Sequence, residues 1–503
     1  WNDNSQENPQ KEEQRGSEIA LNGAQIGGAI ALTGDSSLDV SGYAFVGNSA
    51  VFDGGAFSIE KTPSCKLQSV SFVNNRASSR GGAVYFGKHV DAHFAGVLLK
   101  DNFAGGDGGA VHIGLEALLA VFNSAYIGNK ALGNGGGVFV SDTKISMDNV
   151  KVLYNSVRNG MGGGLHLERG SELSCTNCDI DYNAIMQNGK GGGISVRNNG
   201  RVILDTSRVR HNRVTVGGGV YAFENASVYV KSVEFLSNVA SSAQGEKNDG
   251  DAYSLGLGGA IYLTDNVLLE SDFCVFRKNK ATDDGGAIYS GVNGKLAVKR
   301  SNFSENTALK RGGAIYTSHS RCEAAYGTIN DGASFECFSP SNEWDAKCND
   351  KNSPVVQQSN VNQSAIDRQK WDCNTFDRLT MHKNEAIVGS SIFWEYSEEV
   401  VGVNPVTKES IFRPLPVICN NCTFQPLVSS IIKDGHDMAT GATSVRLGWF
   451  PDKETRKSGA VLRHVVPSVL EKRVHIRSEN CTKIQIEINK QTIQGKSLLS
   501  AFG

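Results

Sequence analysis

The chain has 503 residues, with 50 Lys plus Arg against 52 Asp plus Glu, a balance that leaves no basic field for nucleic acid or anionic lipid and no acidic tail. Its 57 Gly and only 10 Pro fit many tight turns between regular strands better than a disordered, proline-rich spacer. No apolar run reaches the ~18 residues that a membrane-spanning helix needs, so no transmembrane segment is expected.

Residues 1–16 (WNDNSQENPQKEEQRG) form a polar segment with no initiator Met and none of the basic and apolar regions of a signal peptide. The last residues, KIQIEINKQTIQGKSLLSAFG, stop within a strand and hairpin pattern. Both ends lead us to expect a segment of a longer protein.

From residue 17 the chain repeats itself. The second Gly of a Gly pair falls at 28, 55, 82, 109, 137, 164, 193, 219, 259, 286 and 313, mostly in steps of 26 to 29 residues. A second mark, an apolar residue followed three positions later by Asn, runs alongside in FVGN 45–48, FVNN 72–75, YIGN 126–129, FLSN 235–238, FRKN 276–279 and FSEN 303–306. Weaker copies supply Asn22, Asn102, Asn155, Asn183, Asn212 and Asn384, giving twelve Asn marks.

Alternating apolar residues within this period (GGAIYL, GGAVYF) point to strands and exclude two-helix repeats, and a period near 27 is too short for a propeller blade of roughly 40 residues. The remaining architecture is all-β: a parallel β-helix of about twelve coils, stacked at about 4.8 Å per coil. In it Ile30, Phe57, Val84, Val111, Val138, Leu165, Ile194, Val220, Ile261, Ile288 and Ile315 form one inward column. The Asn marks turn inward at a corner as an amide ladder, and the Gly pairs make a second corner.

The coils run from 17 to 316. The spacing from Asn to the second Gly is usually 7 residues but grows to 10 at 183–193 and 21 at 238–259, so this edge carries the loops, of which SSAQGEKNDGDAYSLG is the longest. Residues 317–370 read as a cysteine-containing insertion and 371–396 as a last repeat-like coil, and Cys322, Cys337, Cys348 and Cys373 fall in one non-repeating stretch there, which suggests a stapled insertion. These four cysteines, with Cys419 and Cys422, are the disulfide candidates and imply an oxidising compartment. The CTNC at 175–178 and the CNNC at 419–422 each lack a second pair at zinc-ribbon spacing, so no metal is assigned. Residues 397–503, with alternation through Val474, Ile476, Ile484, Ile486 and Ile488, read as a smaller, incomplete antiparallel β region of immunoglobulin-like pattern.

The GGA[IV] and FxxN marks, recurring in register over 17–316 and 371–394, resemble the repeats of chlamydial polymorphic outer-membrane proteins and of related protist and algal surface proteins. The resemblance implies a right-handed parallel β-helix exposed outside the cell, hence an extracellular or cell-surface location. The bacterial members carry a translocating C-terminal barrel, which the last hundred residues here do not accommodate.

The chemistry of a β-helix polysaccharide enzyme would need clustered carboxylates beside a His and an Arg or Lys. Within the coils the adjacent acidic pair is Asp283 and Asp284, directly before a Gly pair and read as solvated turn residues. His112 and His166 fall on outward strand positions and are not assigned a catalytic role. The same outward column carries Tyr85, Phe139, Tyr221, Tyr262, Tyr289 and Tyr316, and these rings are the candidate binding face, either stacking on each other or packing on a subunit or glycan. Asn225, Asn302, Asn362, Asn421 and Asn480 head glycosylation sequons.

No catalytic residue and no cofactor are expected. The leading functional expectation is a non-enzymatic structural segment of a large extracellular protein, a building block of a surface filament or appendage whose partners are other protein subunits, self or hetero, or glycans. The alternative is an adhesin passenger domain that binds a host or surface ligand. A polysaccharide-active enzyme is the third reading.

Overall fold

The computed structural model describes residues 17–241, 256–317 and 375–386, and short strands between 392 and 487. The expected insertion at 317–370 and the longest loop therefore lie almost wholly outside the described residues.

The chain is an all-β, right-handed parallel solenoid of about 11 turns. Four parallel sheets of 13, 11, 14 and 12 strands run along it. We call them A (beginning at Glu18–Ala20), B (Gly23–Ala24), C (Ile30–Thr33) and D (Ser37–Ser41), in the order in which each coil visits them. Pairing is in register from coil to coil, as in Val84 with Val111 and Phe57, so equivalent positions stack.

Each strand is short and alternates, so one set of side chains enters the coil. The expected sheet C column from Phe57 to Ile315 is buried throughout, while Ile30 in the first described coil is half-buried. Sheet A adds Phe45, Phe72, Leu99, Tyr126, Val152, Ile180, Val209, Phe235, Phe276 and Phe303. Of these, Phe235, Phe276 and Phe303 stack at 4.8 and 4.5 Å.

All twelve Asn marks join one ladder at the A-to-B corner, and twelve corners bound the eleven turns. The residue before each ladder Asn is left-handed, as in Asn74 (φ 56°), Asp101 (54°) and Gly128 (67°). The corner exposes backbone groups that no strand pairs, and the ladder amides bond them.

The B-to-C corner needs glycine for want of room. A Cβ on Gly286 would stand 2.0 Å from the Gly313 carbonyl oxygen, and Gly312 holds φ +63°. In coils with three consecutive glycines the left-handed residue is the first (Gly135, Gly162, Gly191, Gly217). There Gly137, Gly164, Gly193 and Gly219 take the place that Ala occupies in a GGA coil, one position later than the pair which the spacing assigned to the turn.

Beyond 396 the expected antiparallel region is only partly antiparallel. Strands Glu398–Val403 with Ser410–Pro414, and Ser444–Gly448 with Lys483–Glu487, pair that way. Between them, Ile418–Asn420, Thr423–Gln425 and Met438–Thr440 extend sheets D, A and C in parallel. A growing sheet edge offers the same row of backbone donors and acceptors whether or not the added strand carries the Gly and Asn marks, which explains how pairing outlasts the visible repeat.

Candidate interaction surface

The outward column of sheet C is a ring stack. Tyr85, His112, Phe139 and His166 follow one another at centroid distances of 5.2, 4.7 and 5.4 Å, and Tyr221, Tyr262, Tyr289 and Tyr316 at 5.3, 5.0 and 4.7 Å. The expectation of a solvent-facing aromatic face needs correction. His166 is 0%, Tyr316 1%, Tyr221 2%, Phe139 5% and His112 6% exposed, and Tyr85, Tyr262 and Tyr289 are half-buried.

The cover comes from the loop edge. Arg80 lies 4.7 Å over Tyr85 and Arg311 4.7 Å over Tyr316, each cation donated by the residue just before its coil's Gly pair. Acidic residues of the preceding coil hold these cations, Asp53 with Arg80 and Asp284 with Arg311, both at 2.8 Å. Asp283 and Asp284 are thus not solvated turn residues. They are 6% and 4% exposed, with Asp283 accepting from the Gly256 N–H at 2.8 Å and pairing with Lys310.

The column breaks once, where Ser195 stands in register between His166 and Tyr221. Lys190 of the same coil reaches over the Tyr221 ring at 5.4 Å. Nearby, Glu168 accepts from Arg197 at 2.7 Å and lies 3.6 Å from His166 Nε2, a distance longer than a hydrogen bond. The His166 imidazole and the Arg197 guanidinium hold the Glu168 carboxyl down at about 2. Burial, with Arg80 adding to it, lowers His112 to about 3, and burial likewise lowers His166, so both rings take up a proton less readily than a free imidazole. The His166 ring nitrogens, His112 Nδ1 and Ser195 Oγ are buried without a hydrogen-bond partner among the described residues.

A second aromatic stack was missed in the sequence. Tyr154, Tyr182 and His211 occupy the left-handed position before the ladder Asn in three successive coils, with centroids 5.1 and 4.6 Å apart. The signal was present in VLYN 152–155, in IDYN 180–183 and in VRHN 209–212, where a ring directly precedes the Asn. Tyr154 is 56% and Tyr182 46% exposed. Arg210 bridges Asp179 and Asp181 at 2.9 and 3.2 Å, and His211 Nδ1 meets Asp181 at 2.9 Å. A shallow groove of about 340 Å³ also crosses sheet D beside Ile203, Tyr229, Glu270 and Ala297.

The CTNC pair is a disulfide, Cys175 to Cys178, so its sulfurs are not thiolates free for a metal. The side chains of both enter the D-to-A corner, at 1% and 2% exposure. Cys65 and Cys274 are buried free thiols. The disulfide candidates Cys322, Cys337, Cys348, Cys373 and Cys422 lie outside the described residues, as does the side chain of Cys419. Among the sequons, Asn225 is exposed, whereas Asn302 is half-buried in the strand Asn302–Ser304 with Ser304 buried; Asn362, Asn421 and Asn480 lie outside the described residues.

These features define a stacked-coil repeat protein whose sheet C rings are buried or half-buried, with cations of the loop edge over three of them, and whose Tyr154–Tyr182 stack is exposed. The family pattern described as right handed beta helix region matches residues 146–329, and that described as Chlamydia polymorphic membrane protein repeat matches residues 69–87. The chain therefore resembles the repeats of polymorphic membrane proteins within a right-handed β-helix. No curated protein and no solved structure matches it.

Proposed function

We propose that this chain is a non-enzymatic, structural and interaction-bearing segment of a large cell-surface protein, a building block of an extracellular filament or appendage. The observation that carries the reading is the unbroken Asn ladder from Asn22 to Asn384, which ties successive coils into one rigid rod, its amides buried from Asn48 onward. A rod whose side-chain chemistry is spent on internal ladders suits spacing and assembly. The resemblance to polymorphic membrane protein repeats supports the surface location. Labelling of intact cells with an antibody to residues 17–241 is expected to stain the surface, and electron microscopy of native material is expected to reveal regular filaments. Staining only after permeabilisation, or a dispersed monomer, overturns the reading.

The adhesin reading is favoured by one observation, the exposed Tyr154–Tyr182–His211 stack. Saturable binding of the monomeric chain to cells, abolished by changes at these rings, would replace the filament reading with it.

A further inference from the structure

We propose that the corner beside Tyr154 is a binding subsite for one pyranose ring of a neutral glycan. The stack of exposed rings ends there. Tyr182 has Tyr154 on one face and His211 on the other, but the coil on the far side of Tyr154 carries Gly128 at the equivalent position. That face of Tyr154 has no aromatic or cationic partner among the described residues, and the ring is 56% exposed.

The Asp101 carboxylate reaches into the space beside Gly128. Where a Cβ would stand, the atoms within 4 Å are those of the Asp101 carboxylate, Oδ1 at 2.4 Å and Cγ at 3.5 Å. Asp101 belongs to the next coil again, so its backbone and that of Tyr154 stand two coil spacings apart, about 9.6 Å. A saturated ring resting at about 4 Å on an aromatic face leaves its hydroxyls within reach of a carboxylate at about 2.7 Å. Gly128 puts no side chain of its own over the ring, Tyr154 supplies the apolar platform and Asp101 the hydroxyl acceptor.

Charge separates this occupant from the obvious rival. A guanidinium or ammonium would also take an aromatic face and a carboxylate, but Lys100 Nζ already stands 4.0 Å from the Asp101 carboxylate and repels a second cation. A flat aromatic ligand would stack but leave the carboxylate without a donor.

The test is saturation-transfer difference NMR on the chain with methyl α-D-glucopyranoside, methyl β-D-galactopyranoside and methyl N-acetyl-β-D-glucosaminide, and with N-acetylarginine amide as the cationic probe. Tyr154→Asn places at this corner a residue the column already uses at Asn74, so the fold is retained, and circular dichroism checks it. Transfer to the sugar C–H protons of at least one pyranoside is expected. Affinity should fall about tenfold in Tyr154→Asn and at least about threefold in Asp101→Asn, and be unchanged in Tyr43→Ser at a different corner. The proposal is overturned if no pyranoside shows transfer, if the arginine probe binds in their place, if a folded Tyr154→Asn binds as well as the parent, or if Tyr43→Ser loses binding equally.

Discussion

The Asn155 side-chain amide donates to the Asn183 amide oxygen at 3.0 Å and to the Tyr126 carbonyl at 2.9 Å, while its own oxygen receives the backbone and side-chain N–H groups of Asn129 at 3.0 and 2.9 Å. Every hydrogen-bonding capacity of this fully buried amide is used, and three coils depend on it. Asn155→Ala strands the Asn129 donors and the Tyr126 carbonyl without water, at about 1–3 kcal/mol for each group left unpaired. We expect a loss of at least about 3 kcal/mol in urea denaturation. Hydrogen exchange should be fastest in the coils around residue 155, because stability in stacked repeats is a local sum.

The gap in the ring column at Ser195 gives a change in the opposite direction. Ser195→Phe places a ring between His166 and Tyr221, displaces the Lys190 ammonium toward solvent and removes a buried hydroxyl without a partner. Two ring contacts at about 0.5–1.5 kcal/mol each predict a gain in stability, read as a higher midpoint in the same denaturant series. A lower midpoint would mean that Lys190 and the loop cannot move aside.

The buried imidazole of His112 makes stability depend on acid. Its folded pKa of about 3 lies below the ordinary 6.5, so between those values the unfolded chain binds a proton that the folded chain refuses. Stability therefore falls as pH drops from about 6.5 toward about 3, at up to about 1.4 kcal/mol per pH unit for this residue. Glu168 adds loss in the same direction, because its carboxyl, lowered to about 2, is protonated more readily in the unfolded chain. His112→Phe keeps the ring stack and is expected to flatten the slope of denaturation midpoint against pH over this window.

Ser271 and Cys274 stand in register with the disulfide pair, since Cys175 aligns with Leu204, Val230 and Ser271, and Asp179 with Arg208, Glu234 and Val275. Ser271→Cys therefore brings a second thiol to Cys274 across an equivalent corner. The variant produced under oxidising conditions should form this bridge, detected as a cross-linked peptide containing positions 271 and 274 and as loss of the Cys274 thiol on alkylation after unfolding. A Cys274 that remains fully alkylated would show that the two corners differ.

The ladder Asn, the Gly pairs and the inward aliphatic column were legible because each is a local mark repeated at a fixed step, and parallel register turns a step in sequence into a column in space. What covers the outer rings was not legible in the same way. Asp284 looks solvated until Arg311, a whole coil later, folds back on it, and Tyr316 looks outward until Arg311 lies over it. The CTNC spacing alone does not tell a metal pair from a disulfide; the difference lies in both sulfurs entering one corner. Tyr154, Tyr182 and His211 were passed over because the Asn that follows each drew the reading to itself.

The amide ladder also has a direction. From Asn22 to Asn306 each Asn gives its backbone N–H and one side-chain N–H to the amide oxygen of the coil that follows. From Asn48 to Asn384 each receives the same pair on its own oxygen from the coil before, while its other side-chain N–H goes back to a carbonyl of that coil. The rod is therefore polar: a coil added ahead of Asn22 must bring donors, and one added beyond Asn384 must bring an acceptor. Two such rods joined head to tail continue the pattern, whereas two meeting front to front would set oxygen against oxygen.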